Sequence, residues 1–358
     1  MAVYKIFPTK DSSIYSYYSV KNAGLDEILD ISVYKSIEET GEVARALLAF
    51  DNSEISDILT NKISTADYKT YLRLFLADAS QIPLDYTLYC YPISSSWNMG
   101  TGHAADVPMI TDGVSWNFST YNSGSVFTAS IAGSTSYYPD GNPGGGAWYS
   151  SNTLVSSQSF NYISDKDIEL DVTNAISSSK YQNGFIIRHA NTLEFLTGSL
   201  FELKYFSSNS HTVYPPCLEF RWNDFTYSTG SLSVVTSDKI VITLSNNKGE
   251  FQDNSVNRFR INVRDQFPTR TFQTSSIYLN NKVLPTSSYY AIKDIKTDDF
   301  VIDFDTTYTK LSADSSGNYF DIYMNGLQPE RYYKVLVKTI VGGSTIVFED
   351  NNYFKVIQ

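Results

Sequence analysis

Three histidines, His103, His189 and His211, are the residues on which metal or acid–base chemistry would have to rest. No HExxH occurs, no two histidines stand at ligand spacing and no Cys/His cluster exists, so a zinc site is not expected. His189 follows Arg188 in "FIIRHAN". A polysaccharide lyase would bring His, Arg and Tyr together in a groove, whereas a satisfied polar group at a strand end is the commoner fate of such a pair. No GxSxG, P-loop or GxGxxG is present, and "GNPGGG" lacks the GK[ST] that would let it hold a phosphate, so it reads as a tight loop. The carboxylate pairs Asp165/Asp167 and Asp303/Asp305 alternate and so share a strand face, which suits calcium but equally suits a solvated face. No catalytic residue, metal or cofactor is expected. The aromatics are the sharper signal. Trp148 with Tyr149, and Tyr137 with Tyr138, lie in a glycine- and serine-rich region where flat rings with polar tips can stack on sugar or pack on another subunit. Subunit packing is the favoured use, because aromatics are enriched at interfaces.

The chain of 358 residues carries a net charge of −11, which weighs against nucleic acid as a partner. The acidity is local: Met1 to Asp224 holds 13 basic and 24 acidic residues, and Phe225 to Gln358 holds 14 of each. Two domains with different surfaces are implied. The 28 Tyr and 21 Phe suit pleated, half-buried surfaces and point to an all-β protein. Cys90 and Cys217 sit in apolar contexts without metal spacing and are expected to be buried thiols rather than a disulfide. "MAVYKIFPTKD" has no apolar h-region, so a signal peptide is not expected, and no run is long enough to span a bilayer.

The elements that must position these residues are strands. "LDYTLYCYPI" puts Leu84, Tyr86, Leu88 and Cys90 on one face; "YLRLFLAD" does so with Leu72, Leu74 and Leu76; "RFRINVRD" with Phe259, Ile261 and Val263. Clusters such as "NSGS", "SNNKGE" and "DSSGN" between them are turn chemistry. "ARALLAF" (44–50) has the propensity of a helix, yet it is too short for a stable one and ends sharply at "DNS". A strand buried on both faces is expected there. Short helices are expected at 52–59, capped by Asn52 or Ser53, and at 172–179, capped by Thr173.

In this order the pieces from Ile6 to Trp222 resemble the DNRLRE-type β-sandwich domains related to carbohydrate-binding modules. "PTKDSSIYS" and "NAGLDEILDISVY" look like that family's opening Asp, its Asn-x-Gly and its first long strand. "RALLAFD", with Arg45, Phe50 and Asp51, is similar to its run of Arg, apolar residues and Phe-Asp, and Trp97 and Trp116 match its two tryptophan-bearing segments. The resemblance implies a jelly-roll-type β-sandwich over 1–224 in which these five residues are structural. The usual Pro-x-Leu ending is "PPCLEF" here, and the loops from 119 to 160 are long, so binding would be most individual there.

In "GLQPERYYKVLVKT", Leu327, Pro329 and Tyr333 have the spacing of a tyrosine corner. An Ig- or fibronectin-like sandwich with extra strands or an insertion is expected over 225–358, with a small separate module near 225–265 as the alternative. Two tandem sandwiches without enzyme machinery look like a component of a bacteriophage virion, in the tail, neck, fibre or capsid-decorating set and made in the host cytoplasm. The expected partners are other virion or assembly proteins, in a homo-oligomer or multi-copy array, with host glycan as a further partner, no nucleic acid and no membrane insertion. The alternative is a carbohydrate- or host-receptor-binding module of a surface or secreted protein.

Overall fold

A computed structural model describes residues 2–35, 41–64, 66–127, 134–135, 144–194, 201–268, 281–349 and 352–358. The protein is all-β, built from mainly antiparallel sheets. It divides into two compact units: an N-terminal unit of Ile6–Ser64 and Lys69–Glu219, and a C-terminal unit of Met1–Lys5, Thr65–Tyr68 and Phe220–Gln358. The two short early segments thus group with the chain's second part. Among the described residues, no helix is long and apolar enough to cross a membrane.

The N-terminal unit is organised on a sheet with strands in the order Ser156–Asn161, Asp85–Pro92, Phe185–His189, Gly41–Ala49 and Lys10–Tyr15, each antiparallel to its neighbour. The stretch 44–50 is buried throughout; its first six residues lie in the strand Gly41–Ala49 and Phe50 follows it. Its context explains why: strands pair with it along both edges, so ladder hydrogen bonds replace helical ones, and packed layers cover both of its faces. On one face Val43, Leu47 and Ile186 pack with Trp97, Val114, Trp116, Phe127 and Trp148. On the other, His189 and Tyr86 meet Phe201, in the layer that contains the strands Ile28–Asp30, Glu202–Phe206 and Leu76–Ser80.

The C-terminal unit is a sandwich. Ile240–Ser245, Val256–Asp265, Gly317–Tyr323 and Ser312–Asp314 form one sheet in that order. Glu250–Gln252, Tyr353–Ile357, Tyr332–Val341, Ser288–Asp294 and Phe300–Ile302 form the other, whose first pair is parallel. Phe259, Ile261 and Val263 do point inward and share one core with Tyr290, Val335 and Phe354, so the region near 225–265 belongs to this sandwich. Outside it, Arg258 and Arg260 pair with Asp321 and Asp314. The Tyr333 hydroxyl donates to the Gln328 carbonyl at 3.0 Å, with Leu327 buried and Pro329 half-buried, which is the tyrosine corner.

Some expectations need correction. Leu84 lies before the strand Asp85–Pro92 and is 76% exposed. The strand is interrupted at Phe75, so Leu72 and Leu74 are buried in one strand and Leu76 opens the next half-buried. The helix Asn52–Asp57 is capped by Asp51, whose carboxylate accepts from the Ser53 amide at 2.7 Å. The helix Thr173–Ser177 starts without a side-chain cap from Val172, because Thr173 Oγ1 is engaged by the Thr70 amide and by Asp171. The expected cap Asn52 thus lies one residue past the observed one, Asp51, and at the second helix Asp171, two residues before Thr173, accepts the Thr173 amide.

Candidate functional site

The residues with the most chemistry meet inside the N-terminal unit. Arg45 and Arg188 lie on neighbouring strands and face the same side of the sheet. Glu194, on the short helix Asn191–Glu194 just after the second strand, reaches both. Its carboxylate accepts from Arg45 Nε at 3.0 Å and Nη2 at 2.7 Å, and from Arg188 Nε at 3.2 Å. Arg188 also donates through Nη2 to Glu194 and to Asn191. Arg45 Nη1 donates to the Gly145 carbonyl at 2.5 Å. The Arg45 guanidinium lies 4.7 Å from the Trp116 ring and 5.4 Å from Trp148, and Arg188 lies 5.0 Å from Trp148.

Burial works to raise the Glu194 carboxyl, but the two guanidiniums hold it below its ordinary range. Burial, reinforced by Arg45, pushes Arg188 down to about 10. The charges therefore stay on at neutral pH and clamp two strands to the loop carrying Gly145. Gly145 is at φ +73°, and a Cβ there would stand 2.4 Å from the Arg45 guanidinium, so this loop glycine is required by close approach.

His189 points to the opposite face. Its Nε2 lies 3.1 Å from the Ile31 carbonyl, its ring sits 4.4 Å from Phe201, and burial pushes it down to about 4. Tyr86 is its neighbour at 6.2 Å. His189 and Tyr86 thus meet on one face of the sheet while Arg188 points to the other, and all three are buried.

Trp148 requires correction as a stacking platform. It is 2% exposed, in the strand Trp148–Tyr149 that pairs with Ser134–Thr135, and two guanidiniums occupy the neighbourhood of its ring. The physical reason is cation–π packing of buried arginine, which a loop-like composition does not announce. Tyr149 is half-buried with the Lys180 ammonium 4.8 Å over its ring. Tyr137 and Tyr138 lie outside the described residues. Trp97 and Trp116 are core, the former donating from Nε1 to the Asn183 carbonyl at 2.8 Å, and Phe50 is buried. The carboxylates Asp165, Asp167, Asp303 and Asp305 each accept a nearby backbone amide. Among the described residues, no three His, Cys, Asp or Glu side chains gather into a metal-sized group.

Two exposed surfaces were missed. At one, Asn22 ties the loops 16–26 and 98–114 together, and the Asn117 amide on 115–126 donates to the Ser19 carbonyl. The Asn22 side-chain amide donates to the Met99 carbonyl at 2.6 Å and Val114 at 2.8 Å, and its oxygen accepts from Gly102 at 2.8 Å and Gly24 at 3.2 Å. Lys21 adds a bond to the Ala104 carbonyl. Held on these loops, Tyr17, Tyr18, Val107, Met109 and Tyr121 face solvent. At the other, Tyr162 and Ile163 occupy a turn, 70% and 92% exposed, beside Leu84. The turn is rigidly made: Asn161 Oδ1 accepts from the Ile163 and Ser164 amides, and the buried Lys166 ammonium donates to the carbonyls of Asn161, Tyr162 and Ser164. A signal was available in "NYISDK", where two large apolar residues sit in a turn that otherwise favours polar ones.

No family model and no curated protein matches the chain. Among solved structures it is similar to a DUF4785 family protein from Legionella pneumophila, with 8% sequence identity and a TM-score of 0.19, over 98% of this chain. The chain spans 65% of that protein's length.

Proposed function

We propose that the chain is a non-enzymatic structural component of a bacteriophage virion, of the tail, neck, fibre or capsid-decorating kind, that works by association in many copies. The observation that carries the reading is a division of labour. Arg45, Arg188, Glu194 and His189, the groups best able to do chemistry, are buried in the fold, while large apolar and aromatic side chains stand exposed on turns held rigid by Asn22 and Lys166. Pre-ordered apolar surface favours association, because little conformational entropy remains to be lost on docking. The virion assignment itself rests on the resemblance to DNRLRE-type and Ig-like modules and on the tyrosine-rich composition. Mass spectrometry of purified particles tests it: the chain should be recovered at a fixed copy number.

One observation favours a second reading, a host-receptor- or carbohydrate-binding module. Tyr17 and Tyr18 pack edge to face at 4.5 Å between centroids on a loop end, a rigid amphipathic pair of the kind binding loops use. A glycan array comparing the wild type with Tyr17→Ala/Tyr18→Ala separates the readings. Glycan binding lost in the variant would move the function to this loop end.

A further inference from the structure

The strand Ser344–Phe348 lies at the rim of the C-terminal sandwich, antiparallel to Tyr332–Val341 and, among the described residues, paired with no other strand. A two-residue turn, Gly342-Gly343 at φ +59° and +82°, joins the two and makes Val341 and Ser344 a hydrogen-bonded pair. Such pairs alternate along an antiparallel ladder, so Ile346 and Phe348 also bond inward, to Thr339 and Val337. The amides and carbonyls of Thr345 and Val347 therefore point away from the sheet. Ile340, opposite Thr345, agrees with this phase: its amide donates across the far side of its strand, to the Ser287 carbonyl at 3.2 Å. Among the described residues, nothing takes up the outward groups of Thr345 and Val347.

Open strand edges are ordinarily guarded, because they template pairing with another chain. Other rims of this fold are guarded. Lys10–Tyr15 carries Lys10 and Asp11, and Ser208 bonds the Asp11 carboxylate. On the rim strand Ser156–Asn161, Gln158 donates to the Asp167 carbonyl at 3.1 Å and accepts from the Glu169 amide at 2.7 Å. Phe300–Ile302 and Ser312–Asp314 are only three residues long. Ser344–Phe348, by contrast, has no charge, no proline and no bulge. Its outer face is apolar, with Val347 48% exposed beside Ile340 at 42%. Lys338, opposite Val347, has its ammonium drawn off over the Phe304 ring at 4.4 Å. The other long uncharged rim, Ile240–Ser245, turns Ile240 and Ile242 into the core and exposes only Thr243, so pairing there would bury little apolar surface.

We propose that two copies of the chain pair along this edge, Ser344–Phe348 against Ser344–Phe348, antiparallel about a two-fold axis at Ile346. The strand that fits must be uncharged and must offer outward backbone groups at alternate residues, and this strand itself meets both conditions. Antiparallel pairing of a strand with its own copy is two-fold symmetric, so one surface supplies both halves. The register centred on Ile346 sets Thr345 of each copy opposite Val347 of the other, so that the outward amides and carbonyls of both strands all bond. It leaves out the glycine turn and Glu349, which is paired with Lys334 at 2.9 Å. The sheets of the two sandwiches become continuous. The contact is small, so it takes effect where many copies are held at high local concentration. This deepens the structural reading above and rests on it.

Light scattering of the full chain over a concentration series, together with a disulfide trap, tests the pairing. The wild type should pass from one chain to two as concentration rises. Val347→Pro removes an outward amide but no bond to Tyr332–Val341, so the sandwich should stay folded while the dimer is lost. Ile346→Cys places two thiols at a non-hydrogen-bonded pair with Cα atoms about 4.5 Å apart, and mild oxidation should link the copies. Cys90 and Cys217 are buried and do not compete. Val347→Pro/Ile346→Cys should stay unlinked, although its thiol is equally accessible. A wild type that is monomeric at every concentration, with Ile346→Cys unlinked, overturns the pairing, as does a dimer that survives Val347→Pro. In either case, the copy number in purified particles still decides the structural role independently.

Discussion

Arg45 and Glu194, 149 residues apart in sequence, meet as a two-pronged ion pair from which solvent is excluded, each side chain 0% exposed. The pair joins the middle of the central sheet to the segment that follows its neighbouring strand, and Arg188 completes a triad around one carboxylate. Such a group specifies which segments meet more than it adds net stability, since desolvating the charges offsets most of their attraction.

Removing the shared anion should therefore be costly. Glu194→Gln leaves two guanidiniums buried without a counter-charge and should destabilise the protein by about 3–5 kcal/mol in denaturant titration. The apolar replacement Arg45→Met/Arg188→Met/Glu194→Leu should be more stable than Glu194→Gln alone. If Glu194→Gln is neutral, the triad does not hold the sheet.

The acid response should show two opposed titrations. Burial lowers His189 from its ordinary 6.5 to about 4, so its neutral form stabilises the fold above pH 6.5, and that contribution is lost as pH falls toward 4. Burial raises Asp11 from 3.8 to about 6 despite bonds from the Ser208 amide and hydroxyl. Its contribution is therefore full below pH 3.8 and lost as pH rises through 6. Each amounts to roughly 3 kcal/mol at most, and between pH 4 and 6.5 they nearly cancel. Asp11→Asn should make stability fall more steeply on acidification, and His189→Gln should make it rise. Parallel pH profiles for wild type and both variants would refute this balance.

The tyrosine corner gives a smaller effect. Tyr333→Phe removes the bond to the Gln328 carbonyl while keeping the ring in its core, and should cost about 1 kcal/mol. The loss should appear in the unfolding of the C-terminal sandwich, read by chemical denaturation.

Asn22→Ala should loosen the loop end that carries Tyr17 and Tyr18. It strips partners from two carbonyls and two amides, and leaving even one such buried group unsatisfied costs about 1–3 kcal/mol. Gly24→Ala should act alike, because a Cβ there would lie 2.1 Å from the Met99 carbonyl oxygen. Faster amide exchange confined to 98–114 is the expected sign.

Cys90 and Cys217 are both buried and neither is in a disulfide, and burial pushes the Cys90 thiol up. Neither should react with a thiol reagent in the native protein, and both should react in denaturant. Rapid labelling of either under native conditions would contradict their placement.

What was legible in the sequence was what local pattern decides. Alternation gave Phe259, Ile261 and Val263 their inward face, and Leu327-x-Pro329-x-x-x-Tyr333 carried its corner in its own spacing. The strand at 44–50 was legible only because its sharp ends overruled helical propensity. Long-range partners were not: nothing near Arg45 announces Glu194, and Trp148, in a glycine-rich setting that suggests an open loop, is buried by arginines from two strands. Leu84 misled for the opposite reason, continuing an alternation past the end of its strand onto an exposed tip.

The structural role is tested most directly by absolute quantitative mass spectrometry of purified phage particles, with the chain's copy number measured against the major shell protein. A constant, symmetry-compatible number of copies per particle, resistant to washing, is the predicted result. Absence from particles, or an amount that varies between preparations and washes away, would contradict the account.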